Sequence, residues 1–226
     1  MKTGDPVPAV EARRGPFAKM IADTIGPLWQ GDYRVIDARD LEQPLPAAAE
    51  LAPTGDLAAV VITGSSANVP NREAWMLRME AWLREIVATP VPIFGICFGH
   101  QILAQALGGE VVKNPRGREI GTKKLTLRAL DPLFDGLEGE LEANVTHIDT
   151  VATLPPGAVS LALSALEDHH AIRFTGTCYG VQFHPEIDAD IMRGYIELRR
   201  EILTAEGLDA AALHQGVTDA RAGAET

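Results

Sequence analysis

The sequence predicts an α/β fold of three layers, in which a mostly parallel central sheet carries helices on both faces. In the first half of the chain, apolar strand-like runs alternate with segments of helical spacing, an order typical of parallel sheets. In the second half, strand-like segments follow one another with turns between them. With 226 residues and 46% apolar composition, the chain is long enough for one domain with a substantial core.

The first half is predicted to contain two helices and three strands. Continuous apolar character indicates that the later strands are buried, and Trp75, Leu83 and Ile86 give the second helix an apolar face. The predicted elements are a helix over 17–28, a strand over 33–36, a strand over 57–62, a helix over 73–87 and a strand over 91–96. The carboxyl edge of such a sheet is where ligands bind, so the end of the last of these strands is a candidate site.

The second half is predicted to be rich in strands and to end in a helix. The strand-like segments cover 110–113, 123–128, 141–147, 159–164, 171–174 and 178–183, and the helix covers 189–203. Ala, Gly and Asp are frequent in residues 206–226, which is typical of a weakly helical or disordered end. The sequence therefore divides into a domain over 1–205 and a C-terminal tail over 206–226.

Cys97 is the strongest candidate for a nucleophile. It stands between Gly95 and Gly99, after an apolar run and before a helical pattern, which is the strand, turn and helix context of a nucleophile elbow. A thiolate at the N-terminus of the following helix is stabilised by the helix dipole, and the N–H of Phe98 can face an oxyanion. A buried structural cysteine is the alternative, and the two flanking glycines argue against it.

His184 and Glu186 are the candidate base and its orienting partner. Residues at i and i+2 of an extended strand share a face, so the two side chains can be neighbours, with Pro185 fixing the turn between them. The carboxylate would hold the imidazole tautomer, and the imidazole would move the proton between Cys97 and a leaving amine. The sequence thus predicts a Cys, His, Glu triad.

The two motifs Gly-Ile-Cys-Phe-Gly-His-Gln and Gly-Val-Gln-Phe-His-Pro-Glu resemble those of the class I glutamine amidotransferase family. Residues 114–121 and 146–151 resemble the stand-alone subgroup that is similar to the amidotransferase domain of GMP synthase. The resemblance implies a flavodoxin-like fold and release of ammonia from a γ-glutamyl amide through a thioester on Cys97. It implies no cofactor.

The resemblance also implies several binding residues. Gly64, in the loop after an early strand, takes the place of the second oxyanion donor, although Thr-Gly-Ser stands where the family usually has Gly-Gly-Pro. Gln101 matches a family position that contacts the α-amino acid end of the substrate. Thr146, Ile148 and Asp149 complete the set of candidate substrate-binding residues.

Ile148 is the sharpest departure from the family pattern. Relatives commonly read Ser-His-Gly-Asp, whereas this chain has isoleucine in place of the glycine that lets backbone approach the bound glutamine. We expect Ile148 either to narrow the pocket or to turn its side chain into the core. His147 and Asp149 are interpreted as structural residues of the pocket wall and not as a second acid/base pair.

The family fold opens with a buried strand, and no apolar run of strand length precedes Pro6. The first strand is therefore expected to be very short, or the natural start lies upstream of Met1. We favour the second hypothesis. A mass that matches residues 1–226, measured on the protein from its natural source, would contradict it.

A metal site is not expected. Cys97 and His100 have a ligand-like spacing, but no second pair of ligands completes a tetrahedral zinc site. His169 and His170 lie in a polar turn that is interpreted as a solvated loop. Cys178 is expected to be a small buried apolar residue.

Charge and composition restrict the partners. A formal net charge of −11 makes binding to nucleic acid or to an anionic membrane by a general electrostatic route unfavourable. Two cysteines, no signal-peptide pattern and no long apolar run favour a cytoplasmic location.

Three functional interpretations remain open. The favoured one is a glutamine amidotransferase-like enzyme that passes ammonia to a separate acceptor or synthetase chain, because no synthetase segment is recognisable. The second is a stand-alone γ-glutamyl peptidase or hydrolase, which Ile148 and the missing partner domain favour. The third, a non-catalytic regulatory or binding protein, is disfavoured by the intact Cys97, His184 and Glu186.

Overall fold

The computed structural model describes residues 1–51, 57–137 and 139–220. In these ranges the helices are α1 Pro8–Arg14, α2 Phe17–Ile25, α3 Ala74–Ile86, α4 Phe98–Ala106, α5 Ala189–Leu198, α6 Arg200–Ala205 and α7 Ala210–Gln215. The strands are β1 Val60–Ile62, β2 Ile93–Ile96, β3 Glu110–Lys113, β4 Glu119–Leu127, β5 Glu140–His147, β6 Asp149–Thr153, β7 Val159–Leu163, β8 Ala171–Arg173 and β9 Cys178–Val181. None of the described helices is both long and apolar enough to span a membrane.

Seven strands form the central sheet in the order β1-β2-β9-β8-β7-β4-β5, and β3 pairs with β6 in a separate two-stranded sheet. Only β1, β2 and β9 pair in parallel, and the other neighbours of the central sheet are antiparallel. The α/β fold with helices on both faces is confirmed, but the sheet is mixed and not mostly parallel. Among the described residues of the second half, no α-helix lies between β3 and β9, and strands joined by short connections pair antiparallel.

The two faces of the parallel strands carry different helices. Val60 and Ile62 of β1 point to a core cluster that contains α3 and α4, whereas Val61 packs with the opposite cluster, which contains Ile21 of α2. Val10 of α1 joins a third cluster together with residues of α5. This arrangement buries β2 and directs its carboxyl end to the edge where the candidate nucleophile follows.

Residues Met1 to Thr3 lie beside β1. The N–H of Thr63 donates to the carbonyl oxygen of Met1 at 3.0 Å, and the N-terminal ammonium of Met1 donates to the carbonyl oxygen of Val61 at 2.6 Å. On the other side, Lys2 forms one parallel bridge with Asp37. A short extended segment therefore occupies the position beside β1.

Apart from shifts in the bounds of helices and strands, three predictions differ from the observed elements. The strand expected over 33–36 is absent, and pairing there is limited to the bridge at Asp37. The helix expected over 189–203 is divided into α5 and α6 at Arg199, whose φ is −98° and ψ 9°. In the predicted tail, α7 forms, and Ala210 and Val217 are buried in the cluster that contains α5. Residues 221–226 lie outside the described residues, and the domain boundary at 205 stays a prediction.

Candidate active site

Cys97 lies in a sharp turn between β2 and α4. Its backbone has φ 51° and ψ −99°, a conformation with positive φ that residues other than glycine rarely adopt. The flanking glycines permit the turn, because a Cβ atom on Gly95 would lie 2.5 Å from the carbonyl group of Gly99. A Cβ atom on Gly99 would lie 2.5 Å from the carbonyl oxygen of Ile62. The predicted strand, turn and helix are therefore present around Cys97.

His184 and Glu186 follow β9, the strand that pairs with β2. Nδ1 of His184 lies 2.8 Å from Oε1 of Glu186, and both side chains are buried. The backbone N–H of His184 donates to the carbonyl oxygen of Asn144 at 2.9 Å, which ties this turn to β5. The carboxylate occupies Nδ1 and leaves Nε2 as the ring nitrogen that can exchange a proton with a neighbour.

Gly64 brings the loop after β1 against both of these residues. A Cβ atom on Gly64 would lie 3.0 Å from Cε1 of His184 and 3.8 Å from Cβ of Cys97. Phe98 is the first residue of α4, where backbone N–H groups have no partner within the helix. The structure therefore brings together the predicted triad and the two predicted oxyanion donors.

The charges around His184 determine its protonation state. Burial lowers the pKa of His184, but the negative charges of Glu186 and Cys97 outweigh burial and raise that pKa to about 10. The imidazole is therefore protonated at neutral pH. An imidazolium beside Cys97 stabilises a thiolate.

Thr3 stabilises the loop that carries Gly64, and sequence reasoning did not identify it. Its hydroxyl donates to the carbonyl oxygen of Thr63 at 2.8 Å, and its backbone N–H donates to the hydroxyl of Thr63 at 3.0 Å. The Ser65 hydroxyl donates to the carbonyl oxygen of Thr3 at 2.8 Å. Hydrogen bonds of these hydroxyl groups thus hold the loop, which lacks the expected Gly-Gly-Pro. The contact could not be inferred from the sequence, because Thr3 and Thr63 are far apart in the chain.

Gln182 contacts the nucleophile directly and was also missed. Its Nε2 donates to Sγ of Cys97 at 3.4 Å, and its Oε1 accepts a hydrogen bond from Nε2 of Gln101 at 3.0 Å. Gln101 is only 3% exposed and donates a second bond to the carbonyl oxygen of Asp149 at 3.0 Å. The signal for Gln182 was its position two residues before His184 in the same motif.

The remaining predicted binding residues lie at the turn between β5 and β6. The Thr146 hydroxyl is buried without a hydrogen-bond partner among the described residues. Ile148 is half-buried, so its side chain does not join the core, and its carbonyl oxygen accepts a bond from the N–H of Asn114 at 2.8 Å. Burial raises the pKa of the Asp149 carboxyl, against the effect of nearby positive charges.

Residues 42–196, more than half of the chain, match the family profile of glutamine amidotransferase class-I. The chain belongs to this family. The amidotransferase motifs around Cys97 and His184 fall inside the matched range. The resemblance read from the two motifs is thereby confirmed.

Curated relatives and solved structures agree with the family. This chain is 39% identical over 131 residues to a glutamine-hydrolysing GMP synthase of Thermosipho africanus, covering 58% of this chain and 24% of that protein. It thus spans about a quarter of that relative. A glutamine amidotransferase structure from Methylobacillus flagellatus has a TM-score of 0.71 at 27% identity, over 89% of this chain and 79% of the other. One from Thermotoga maritima has a TM-score of 0.69 at 25% identity, over 87% and 82%.

A second buried cluster includes a residue at the end of β5. Glu119, His147 and His170 place one nitrogen or oxygen atom each within 4.8 Å of one another. These residue types bind metal ions, but here hydrogen bonds of 2.8 and 3.1 Å join both imidazoles to the carboxylate. The prediction that His170 lies in a solvated loop is wrong, because its N–H bond to the Ala162 carbonyl oxygen directs the residue inward while His169 stays partly exposed.

Proposed function

We propose that this protein hydrolyses the γ-carboxamide of glutamine through a glutamyl thioester on Cys97. The observation that carries the proposal is the meeting of the Cys97 turn, the His184–Glu186 pair and Gly64 at the carboxyl ends of three parallel strands. A thiolate, a positioned proton donor and backbone N–H groups are the components that acyl transfer requires. Membership of the amidotransferase family supports this interpretation.

The proposed reaction has two steps. The Cys97 thiolate attacks the carboxamide carbon, and the oxyanion of the tetrahedral intermediate accepts hydrogen bonds from the N–H groups of Phe98 and Gly64. His184 gives its proton to the amide nitrogen, and the C–N bond breaks. Ammonia leaves, and the glutamyl group remains on Cys97 as a thioester. Water then attacks the thioester carbon while His184 takes a proton from it, and the C–S bond breaks to release glutamate. The sum is glutamine and water giving glutamate and ammonia.

We further propose that the ammonia passes to a separate acceptor or synthetase chain. The relatives named GMP synthase are described as glutamine-hydrolysing, and the match to this chain covers 24% and 23% of two of them. The partner would therefore supply the acceptor that ammonia attacks. Glutamine itself is the small-molecule ligand of this chain in the proposal.

A γ-glutamyl peptidase is the second candidate, and Ile148 favours it. The half-buried isoleucine side chain lies next to Asp149 at the turn between β5 and β6, where the resemblance to the family predicts glycine. The changed wall can favour a γ-glutamyl group whose leaving amine belongs to a peptide. The chemistry at Cys97 stays the same, with a peptide amine leaving in place of ammonia.

Product analysis separates these two candidates. The purified protein is incubated with glutamine and, separately, with a panel of γ-glutamyl peptides, and ammonia, glutamate and released peptide are measured with Cys97→Ala as control. Cys97-dependent ammonia from glutamine supports the amidotransferase proposal, and addition of an acceptor partner should raise the rate. Peptide cleavage with little glutamine turnover would identify a peptidase, and no Cys97-dependent product from either would contradict both.

Gly64→Ala is expected to lower kcat for glutamine hydrolysis about 10- to 100-fold without loss of fold. Its Cβ atom would lie 3.0 Å from Cε1 of His184, closer than normal packing allows, so the imidazole must move. The matched control is Gly176→Ala, because a Cβ atom there meets nothing within 4 Å. Equal kcat values for the two variants would show that the position of Gly64 beside His184 is unimportant.

Glu186→Gln is expected to shift the basic limb of the kcat/KM profile to lower pH by at least about one unit. In the wild-type enzyme the pKa of His184 is raised to about 10, so the imidazolium persists at neutral pH and is lost as the pH rises through that value. Removing the negative charge of Glu186 lowers this pKa. The measurement is kcat/KM against pH, which reports the free enzyme, and an unmoved basic limb would refute the assignment.

A further inference from the structure

The cluster of Glu119, His147 and His170 joins four segments of the chain that are distant in sequence. Oε2 of Glu119 on β4 lies 3.1 Å from Nε2 of His147 at the end of β5 and 2.8 Å from Nε2 of His170 before β8. The Ser164 hydroxyl donates to the other carboxylate oxygen at 2.6 Å. All four residues are buried, so the cluster is shielded from water.

Hydrogen-bond accounting shows which groups in the cluster are charged. Nδ1 of His147 lies 3.0 Å from the carbonyl oxygen of Asp149, and because a carbonyl oxygen only accepts, Nδ1 carries a proton. Nε2 of His147 faces a carboxylate oxygen, so it needs a proton as well. Hydrogen bonds from His147, His170 and Ser164 outweigh burial and lower the pKa of Glu119 well below its usual range, which keeps it ionised.

His170 completes this accounting as a neutral residue. Its Nε2 donates to Glu119, and its Nδ1 is buried without a hydrogen-bond partner among the described residues. Burial lowers the pKa of His170, which favours the neutral imidazole. The cluster therefore contains one carboxylate, one imidazolium at His147 and one neutral imidazole.

A continuous series of hydrogen bonds leads from the imidazolium to the nucleophile. The Asp149 carbonyl oxygen, which accepts from His147, also accepts from Nε2 of Gln101 at 3.0 Å. The same Nε2 donates to Oε1 of Gln182 at 3.0 Å, and this bond leaves the NH2 group of Gln182 facing Sγ of Cys97 at 3.4 Å. The amide of Gln182 cannot rotate without losing the bond to Gln101.

We propose that Glu119 is a positioning residue for the Cys97 site. It holds His147 as a buried imidazolium, which anchors the turn at Asp149 and, through Gln101, orients the amide of Gln182 toward the sulfur. The inference rests on the proposed thiolate chemistry of Cys97. Glu119 itself contacts neither Cys97 nor the substrate in this account, since its effect passes through the intervening hydrogen bonds.

The test begins with wild-type protein labelled with ¹⁵N at histidine. We expect His147, assigned with a His147→Gln variant, to show two protonated ring nitrogens at neutral pH. A single protonated nitrogen would overturn the proposal. So would one equivalent of bound metal that disappears in Glu119→Gln, because the cluster would then be a metal site. The ¹⁵N measurement on the wild-type protein does not depend on glutamine turnover or on the folding of a Glu119 variant.

The second arm measures the thiol directly. The rate of alkylation of Cys97 by iodoacetamide is expected to fall about 10-fold in Glu119→Gln, since a hydrogen bond to the thiolate is weakened. Cys178 serves as an internal control, because burial raises the pKa of its thiol to about 12 and keeps it unreactive. Glu80→Gln is the matched variant, as Glu80 of α3 is also a buried carboxylate, paired with Arg72.

A double-mutant cycle distinguishes positioning from a general loss of stability. If Glu119 acts through Gln182, the effects of Glu119→Gln and Gln182→Met on the alkylation rate of Cys97 should not add. The same is expected for kcat/KM when it is normalised to the concentration of reactive Cys97 thiol. Additive effects, or a Glu119→Gln rate within about twofold of Glu80→Gln, would overturn the proposal. If glutamine is not hydrolysed by the wild type but the alkylation cycle is non-additive, the proposed function fails and the positioning role stands.

Discussion

Cys97→Ala is expected to lower the release of glutamate and ammonia from glutamine at least about 10⁴-fold, as losses of other acyl-transfer nucleophiles do. In the proposed mechanism the sulfur is the atom that forms the thioester, and no other described thiol can replace it, because Cys178 is buried in the strand β9. The turn, the imidazolium and the oxyanion donors remain in place in the variant. The measurement is a steady-state rate with ammonia and glutamate detected separately.

Cys97→Gly supplies the control for this result. The backbone of Cys97 has φ 51°, which glycine adopts without strain, so this variant should be inactive yet have a higher Tm than the wild type. A protein that is more stable and inactive would show that the loss comes from the missing sulfur. Residual activity near the wild-type rate in either variant would contradict the mechanism.

His184→Ala is expected to lower kcat at least about 10²-fold, as losses of other general acids and bases do. The variant lacks the group that, in the proposed mechanism, protonates the leaving ammonia and takes a proton from the attacking water. It also lacks the positive charge beside the sulfur, so alkylation of Cys97 at neutral pH should slow. Rates of turnover and of alkylation are measured on the same preparation.

His169→Ala is the matched control for His184→Ala. His169 is only partly buried and its Nδ1 is hydrogen-bonded to the Ser160 hydroxyl, away from Cys97. We expect this variant to retain the wild-type kcat and alkylation rate. A similar loss in both histidine variants would indicate damage to the fold and would remove the support for His184 as the proton carrier.

The residues of the predicted triad are recognisable because their signals are local. Gly95 and Gly99 mark the turn, since only glycine avoids contact with the neighbouring backbone there, and His184 and Glu186 are two residues apart in the turn that follows β9. The reactivity of the Cys97 thiol in such a turn depends on the residues adjacent to it in sequence as much as on the fold. A sequence therefore contains most of the information needed to nominate these residues.

Residues whose role depends on contacts with residues far away in the sequence could not be recognised from the sequence. Thr3 meets Thr63 only because the N-terminal segment lies beside β1, and Glu119 meets His170 only because the sheet brings β4 near β8. Such pairings are set by tertiary contacts, and neither local propensity nor spacing in the sequence contains them. The mixture of parallel and antiparallel strand pairs was missed for the same reason, because the sequence of a strand does not specify which strand it pairs with.

The central claim is that a glutamyl thioester forms on Cys97, and the most direct test is to trap it. The protein is mixed with glutamine, quenched in acid within the first turnovers, and analysed by intact mass and by peptide mapping. We expect a mass gain of one glutamyl group on the peptide that contains Cys97. The Cys97→Ala variant should show no such gain. Ammonia release with no adduct at Cys97 during turnover, or with an adduct at another residue, would contradict it.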